Sequence, residues 1–325
     1  MTTAGFAGEE LPDNVVVYEG RKGPGKGKHI VFIASDHEYR GEETCPALAR
    51  ILAKRHGFKC SVIFGVNDEG FIDPGSSKIP GTELLNDADL LFIFARFLNP
   101  VDEQMKPIDD YLNRAGPVIG LRTSTHAFNN GGSKYKKYDF QYNGDEYKLG
   151  FGRQVLGETW AGHYGPNHQS STRLEIVPEN KDHVVLTGVK DMHGMAGAYF
   201  ANPEPDSIIL ANSRPLQGMT PDSPVDEGKA PVPGLWVRTY KGADGKEGRV
   251  LTTTQGASEG IMNDGLRRCL INGVFWAVGL EKKIKADLNI DFVGPYTPKT
   301  FNFNGQSKDV LPSTLAGYES AILPK

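Results

Sequence analysis

The chain has 325 residues, 38% of them hydrophobic, enough to bury a sizeable core and too many for an intrinsically disordered segment. Its 36 Lys and Arg nearly balance 40 Asp and Glu, and the net charge of −4 gives no electrostatic footprint for nucleic acid or an anionic membrane. The longest apolar run, Leu90 to Ala95, falls far short of the roughly 20 residues a membrane-spanning helix needs, so a soluble protein with a small neutral or polar partner is expected.

Met1 to Pro12 lacks the basic start and apolar centre of a signal peptide. This reads as a cytoplasmic protein, or as an exported, periplasmic one whose signal has been removed. Cys45, Cys60 and Cys269 are too few and too scattered for a disulfide framework or a Cys-rich zinc site and read as free buried thiols. The 39 Gly and 21 Pro exceed average usage of about 7% and 5% and predict many loops.

In chain order, Ile30 to Ala34 is a short apolar run, and Thr44 to His56 places Cys45, Leu48, Ala49 and Leu52 on one helical face before Gly57 ends it. Cys60 to Gly65 and Leu90 to Ala95 read as strands, Val101 to Ala115 as a helix and Pro117 to Leu121 as a further strand. Continuous apolar strands separated by helices imply a parallel sheet covered on both faces. A polar, Gly- and Tyr-rich stretch from Thr123 to Gly165 is too long for an ordinary connection. Strand candidates follow at Thr172 to Val177, Ser207 to Ala211, Leu235 to Tyr240 and Arg249 to Thr254, then a helix from Asn263 to Val278. Gly279 to Lys325, with four prolines and weak periodicity, reads as a tail wrapped over the domain.

Ligands of open parallel sheets sit beyond the carboxyl ends of the strands, where this sequence is polar. The first strand is followed by Ser35-Asp36-His37-Glu38-Tyr39-Arg40-Gly41-Glu42-Glu43. Glu42, Glu43 and Thr44 suit the first turn of a helix, whereas Asp36, His37, Glu38 and Arg40 precede it and are site candidates. Arg96 and Arg122 follow two further strands and either bind carboxylate, phosphate or sugar hydroxyls or pair with Asp36 and Glu38. Ser124 and His126 lie at a strand-to-helix turn like a nucleophile elbow, yet no Gly-x-Ser-x-Gly is present.

Trp160-Ala161-Gly162-His163-Tyr164-Gly165-Pro166-Asn167-His168 puts two imidazoles in one Gly/Pro loop, suited to general base work or to a divalent metal on His163 and His168. His183 and His193 are weaker candidates. Gln255 follows the strand ending at Thr254 and either lines the pocket or caps the final helix. There is no Gly-x-Gly-x-x-Gly after a strand, no phosphate-binding Gly-Lys-Ser/Thr loop and no His-Glu-x-x-His, so nicotinamide, ATP and zincin mechanisms lack sequence support. Gly23-Pro24-Gly25-Lys26-Gly27 precedes its strand and reads as a turn.

From Lys28 to Glu281 the sequence resembles the ThuA-like (trehalose utilisation) family, whose fold is similar to class I glutamine amidotransferases. The resemblance rests on SDHEYRGEE, GPVIGLRTSTHAF, GETWAGHYGPNH, HVVLTGV and WVRTYKGADGKEGRVLTTTQG, followed by LINGVFWAVG. It implies an α/β, flavodoxin-like three-layer sandwich with a mostly parallel central sheet, long loop insertions and an extended C-terminal tail, and a role in carbohydrate metabolism. The expected division is an N-terminal extension over residues 1–27, the amidotransferase-like domain over 28–281 and a packed tail over 282–325.

Three departures stand out. Arg122 occupies the place of the amidotransferase Cys, and Cys45 lies inside a helix, so glutamine hydrolysis is not expected. His193-Gly194-Met195-Ala196-Gly197-Ala198-Tyr199 replaces an acidic pair before a Tyr, and Ala257 or Ser258 stands where a His often follows the late Thr-rich strand.

The leading expectation is a carbohydrate-active hydrolase, lyase or isomerase acting on a sugar or oxidised sugar. His37, His126 or His163 would be the general acid/base, with Asp36 or Glu38 orienting it. Arg40, Arg96, Arg122, Ser124, Trp160 and Gln255 would bind substrate. A non-catalytic carbohydrate-binding or scaffold domain is the alternative, and a homo-oligomer interface built from residues 123–165 and the tail is a third reading.

Overall fold

The computed structural model describes residues 11–322; the first ten residues, on which the signal-peptide reading rests, and Pro324 lie outside it. Ten strands form one sheet: β1 (Val15–Glu19), β2 (His29–Ser35), β3 (Lys59–Phe64), β4 (Leu90–Ala95), β5 (Val118–Leu121), β6 (Thr172–Ile176), β7 (Met192–Gly194), β8 (Ile208–Pro215), β9 (Val232–Lys241) and β10 (Glu247–Thr253). Their order is β1-β3-β2-β4-β5-β10-β9-β8-β6-β7. The stretch from β3 to β10 is parallel, with Phe32 beside Val62 and Phe92, and Ile119 beside Leu251. Numbered by themselves, these five strands run 2-1-3-4-5, the flavodoxin-like order. The remaining strands extend the sheet antiparallel on both sides.

The parallel strands are apolar on both faces because both faces are covered. Along β2, Ile30, Phe32 and Ala34 face one core, joined by Leu48, Leu52, Leu270 and Val274 from helices α1 (Gly41–His56) and α3 (Asp264–Ala277). Val31 and Ile33 face the other, with Met105, Ile108 and Leu112 of helix α2 (Asp102–Asn113). Glu42 and Glu43 occupy the first turn of α1, and Gly57 closes it at φ 82°, a backbone angle that glycine adopts without steric cost. At α3 the Asn263 side chain accepts the Leu266 N–H at 2.8 Å, capping the helix start.

The expected elements fall where periodicity placed them, to within a few residues. The antiparallel strands β6, β8 and β9 fall at or beside their expected positions, whereas β1, five residues long, and β7, three residues long, carried no such signal. Between β5 and β6 the chain forms short 3₁₀ turns and one π turn (Gly152–Leu156), and it contributes Phe128, Tyr138, Phe151, Val155 and Leu156 to the second core. After α3 there is no strand or further α-helix among the described residues. Phe301, Val310, Leu315 and Ile322 from this stretch are nonetheless buried in the first core.

Candidate functional site at the strand ends

The chain leaves β2 for β3 on one side and returns to β4 on the other, so the topological switch point lies between β2 and β4. Clefts at such points are where open α/β sheets bind ligands. Three non-glycine residues with positive φ mark this edge: Arg40 (63°), Phe97 (52°) and Arg122 (42°). Such conformations persist only where surrounding contacts enforce them.

In the loop after β2, Asp36 is buried and accepts the backbone N–H groups of Glu38 (3.0 Å) and Tyr39 and the Thr123 hydroxyl (2.6 Å). It holds the loop in shape and ties it to the turn after β5. Glu38 pairs with Arg96 at 2.7 Å and accepts Asn167 Nδ2 at 3.1 Å. Burial raises the Glu38 pKa, opposed by the Arg96 charge. Arg40 pairs with Glu43 and donates to the Gly305 carbonyl at 2.5 Å, so it anchors the C-terminal segment.

Arg122 is fully buried in the elbow after β5. Its guanidinium donates to the carbonyls of Thr254 (2.7 Å) and Gly197 (3.0 Å), to Tyr39 OH (3.0 Å) and to Asn167 Oδ1 (3.3 Å). Its carbon lies 4.1 Å from the ring centres of both Tyr39 and Tyr199, a cation held between two aromatic faces. The strained elbow is kept while its occupant is a cation hydrogen-bonded to four residues of the site. Ser124, two residues on, donates to Ile93 O at 2.8 Å and accepts Ala95 N at 3.4 Å, bracing β4. Gln255 is buried and donates to Ala196 O at 3.2 Å.

The imidazoles fall on two sides of Arg96. His126 and His163 converge on Tyr199, with ring centres 6.2 and 5.2 Å from it, and Trp160 lies 5.1 Å from His126 and 6.0 Å from His163. His37 lies beyond Arg96, sharing Phe303 with it: the ring is 5.7 Å from the imidazole centre and 4.7 Å from the guanidinium carbon. All three have depressed pKa values, first through desolvation. For His126 and His163 the cations Arg96 and Arg122 add to the effect, and His163 falls to about 4. At neutral pH the three are uncharged bases. Thr125 gives its proton to Arg122 O, so its oxygen takes Nδ1–H of His126 at 3.3 Å and leaves Nε2 as the basic nitrogen.

His168 is not part of this group: it is exposed and stacks on Phe301 at 4.5 Å. Among the described residues no three His, Cys, Asp or Glu side chains are grouped to hold a metal ion, so a metal on His163 and His168 finds no third protein ligand there. Cys45, Cys60 and Cys269 are buried free thiols with raised pKa values, through desolvation first, unsuited to nucleophilic attack.

Several residues of the site escaped sequence reasoning. Asn167 sits at its centre, touching Glu38, Tyr39, Arg122 and the Gly197 N–H; the only signal was its place between His163 and His168. The segment 299–306 closes one side. Lys299 N donates to Glu43 (3.2 Å), Asn304 N to His37 O (2.8 Å), and Phe301 packs 5.0 Å from Tyr39. Alternating Phe and Asn in a proline-rich tail gives no periodicity from which this could be read.

Comparison with known proteins places the fold. A solved protein described as ThuA-like from Parabacteroides merdae is 15% identical, with a TM-score of 0.50 over 86% of this chain and 98% of that one. A second, described in the same way, from Bacteroides uniformis, is 15% identical with a TM-score of 0.47 over 83% and 98%. The first shows that this chain has the fold of a ThuA-like protein. No protein-family model matches the chain, and no curated protein sequence matches it.

Proposed function

We propose that the chain is a ThuA-like protein whose strand-end site acts on a sugar or oxidised sugar by general acid/base chemistry without a Cys nucleophile. The observation that carries this is the set of neutral imidazoles His37 and His163 on either side of the Arg96–Glu38 pair, edged by the partly buried Phe97 and Trp160 and the half-exposed Phe303. Aromatic faces receive the C–H faces of a sugar ring, Arg96 offers donors to its oxygens, and an uncharged imidazole removes a proton from carbon or hydroxyl. His163 is the base in this scheme, because it is open to solvent at the rim, while Asp36 and Ser124 shape the loops. The fold likeness and the motif resemblance together support the family. The same reading divides the chain into 1–27, 28–281 and 282–325.

The test is turnover of a panel of neutral and oxidised sugars. His163→Ala lowers kcat by about 10²–10⁴-fold, and kcat/KM of the wild type falls only as pH drops toward about 4, where His163 takes up a proton. An undiminished His163→Ala rate removes His163 from the mechanism.

The second reading, a non-catalytic sugar-binding domain, is supported by Arg122, whose side chain fills the elbow and is committed to Thr254, Gly197, Tyr39 and Asn167. Sugar binding without product from any member of the panel selects it.

A further inference from the structure

A crevice beside the start of α1 is lined by Asp36, His37, Glu38, Arg40, Glu42, Pro74, Asn302 and Gln306. All but Pro74 carry hydrogen-bonding side chains. Three buried atoms on residues of this lining have no hydrogen-bond partner: His37 Nδ1, Arg40 Nη2 and Glu42 Oε2. The Arg40 and Glu42 side chains are only 2% and 5% exposed and stand 3.9 Å apart at their nearest charged atoms, too far for a hydrogen bond. Buried polar groups in native proteins are nearly always paired, so three orphans on residues lining one crevice point to partner atoms supplied there.

The lining decides the chemistry of the partner. Three carboxyl groups, Asp36, Glu38 and Glu42, oppose an anion. The Arg40 cation opposes a metal, and the same residues include no cluster fit for one. An apolar group would leave the orphans unpaired. A hydroxyl donates and accepts at once, so adjacent hydroxyls answer both a guanidinium donor and a carboxyl acceptor.

We propose that this crevice is a subsite for the vicinal hydroxyls of a neutral sugar, with Arg40, Glu42 and His37 as its hydrogen-bonding groups and residues 302–306 as its roof. The inference rests on the sugar-directed reading above and extends it to a second group of residues. As it stands the crevice is too narrow for a water molecule, so the roof must lift to admit a ligand. It is held by Asn304 N to His37 O and Arg40 to Gly305 O, with Phe303 half exposed.

The full chain is titrated with D-glucose, methyl α-D-glucopyranoside and inorganic phosphate by isothermal titration calorimetry, using wild type, Glu42→Gln, Asn302→Ala and His163→Ala. The expected result is binding of at least one neutral sugar and none of phosphate, weakened about tenfold or more by Glu42→Gln and a few-fold by Asn302→Ala. Asn302 is exposed, so its variant tests the roof without threatening the fold. Weakening by His163→Ala but by neither crevice variant overturns the subsite and leaves the proposed function standing. Weakening by the crevice variants alone keeps the subsite and removes the His163 side. Phosphate binding, or no binding of either sugar, overturns the subsite whatever the turnover assays show.

Discussion

Glu42 shows how one buried residue changes the pH response of the whole molecule. Desolvation, opposed first by Arg40, lifts its pKa to about 7. A carboxyl with a folded-state pKa above its unfolded value favours folding fully below the unfolded value, and that advantage is lost as pH rises through about 7. The full difference is about 3 kcal/mol, at 1.36 kcal/mol per pKa unit. Glu42→Gln is therefore nearly neutral at pH 4 and stabilising by up to about 3 kcal/mol at pH 8.5, read from chemical denaturation midpoints. An equal offset at both pH values would mean that Glu42 ionises like an exposed carboxylate. His29 acts in the opposite direction: burial and Lys59 lower its pKa to about 4, so its contribution is lost as pH falls from about 6.5 toward 4. Taking the difference between variant and wild type removes this background.

Among the elements, α3 illustrates a local preference overruled by packing. Replacing a helical glycine with alanine gains up to about 1 kcal/mol in helix propensity. At Gly265, however, a Cβ would lie 1.9 Å from the Lys190 carbonyl oxygen and 3.2 Å from Met192 N. These are backbone atoms, and α3 would have to lift from the strand edge it covers. Gly265→Ala is expected to destabilise the protein by about 2 kcal/mol, seen as a lower Tm; an unchanged or raised Tm would show that the helix shifts freely. The helices and parallel strands were legible because their apolar spacing is local. The antiparallel strands β6, β8 and β9 were legible as strands and the three-residue β7 was not; that all of them join the same sheet was not legible, since pairing partners lie far apart in sequence.

For the molecule as a whole, the residues after α3 are part of the core. A chain ending at Phe292 loses Val293, Phe301, Val310, Leu315 and Ile322, all buried. It also leaves the buried Arg50 without Leu315 O and Ser320 O, its acceptors at 2.9 and 2.6 Å. At about 1.5–3 kcal/mol for each buried side chain, the loss of roughly 10 kcal/mol matches the entire stability of a typical domain. The truncated chain is expected to show no cooperative thermal transition by circular dichroism. A sharp melt within a few degrees of the full chain would make the segment an appendage.

The sequence by itself determined the alternation of strand and helix, the polar residues after β2 and β5 and the presence of Arg122 rather than a Cys after β5, because these depend on residues near one another in the chain. Of the residues it offered there, Asp36, Glu38, Arg40, Arg96, Arg122 and Ser124 lie at the ends of β2, β4 and β5, while His168 is exposed and stacks on Phe301. Which of them are bonded inward and which stand open was decided only by tertiary structure: Asp36 and Ser124 are bonded inward, while His163 is exposed and Arg96 partly so. Asn167, Tyr199 and Phe303 entered the site through contacts spanning up to 266 residues, as between His37 and Phe303. Burial and hydrogen-bond partnership are properties of the folded surroundings, and a residue's own identity does not contain them.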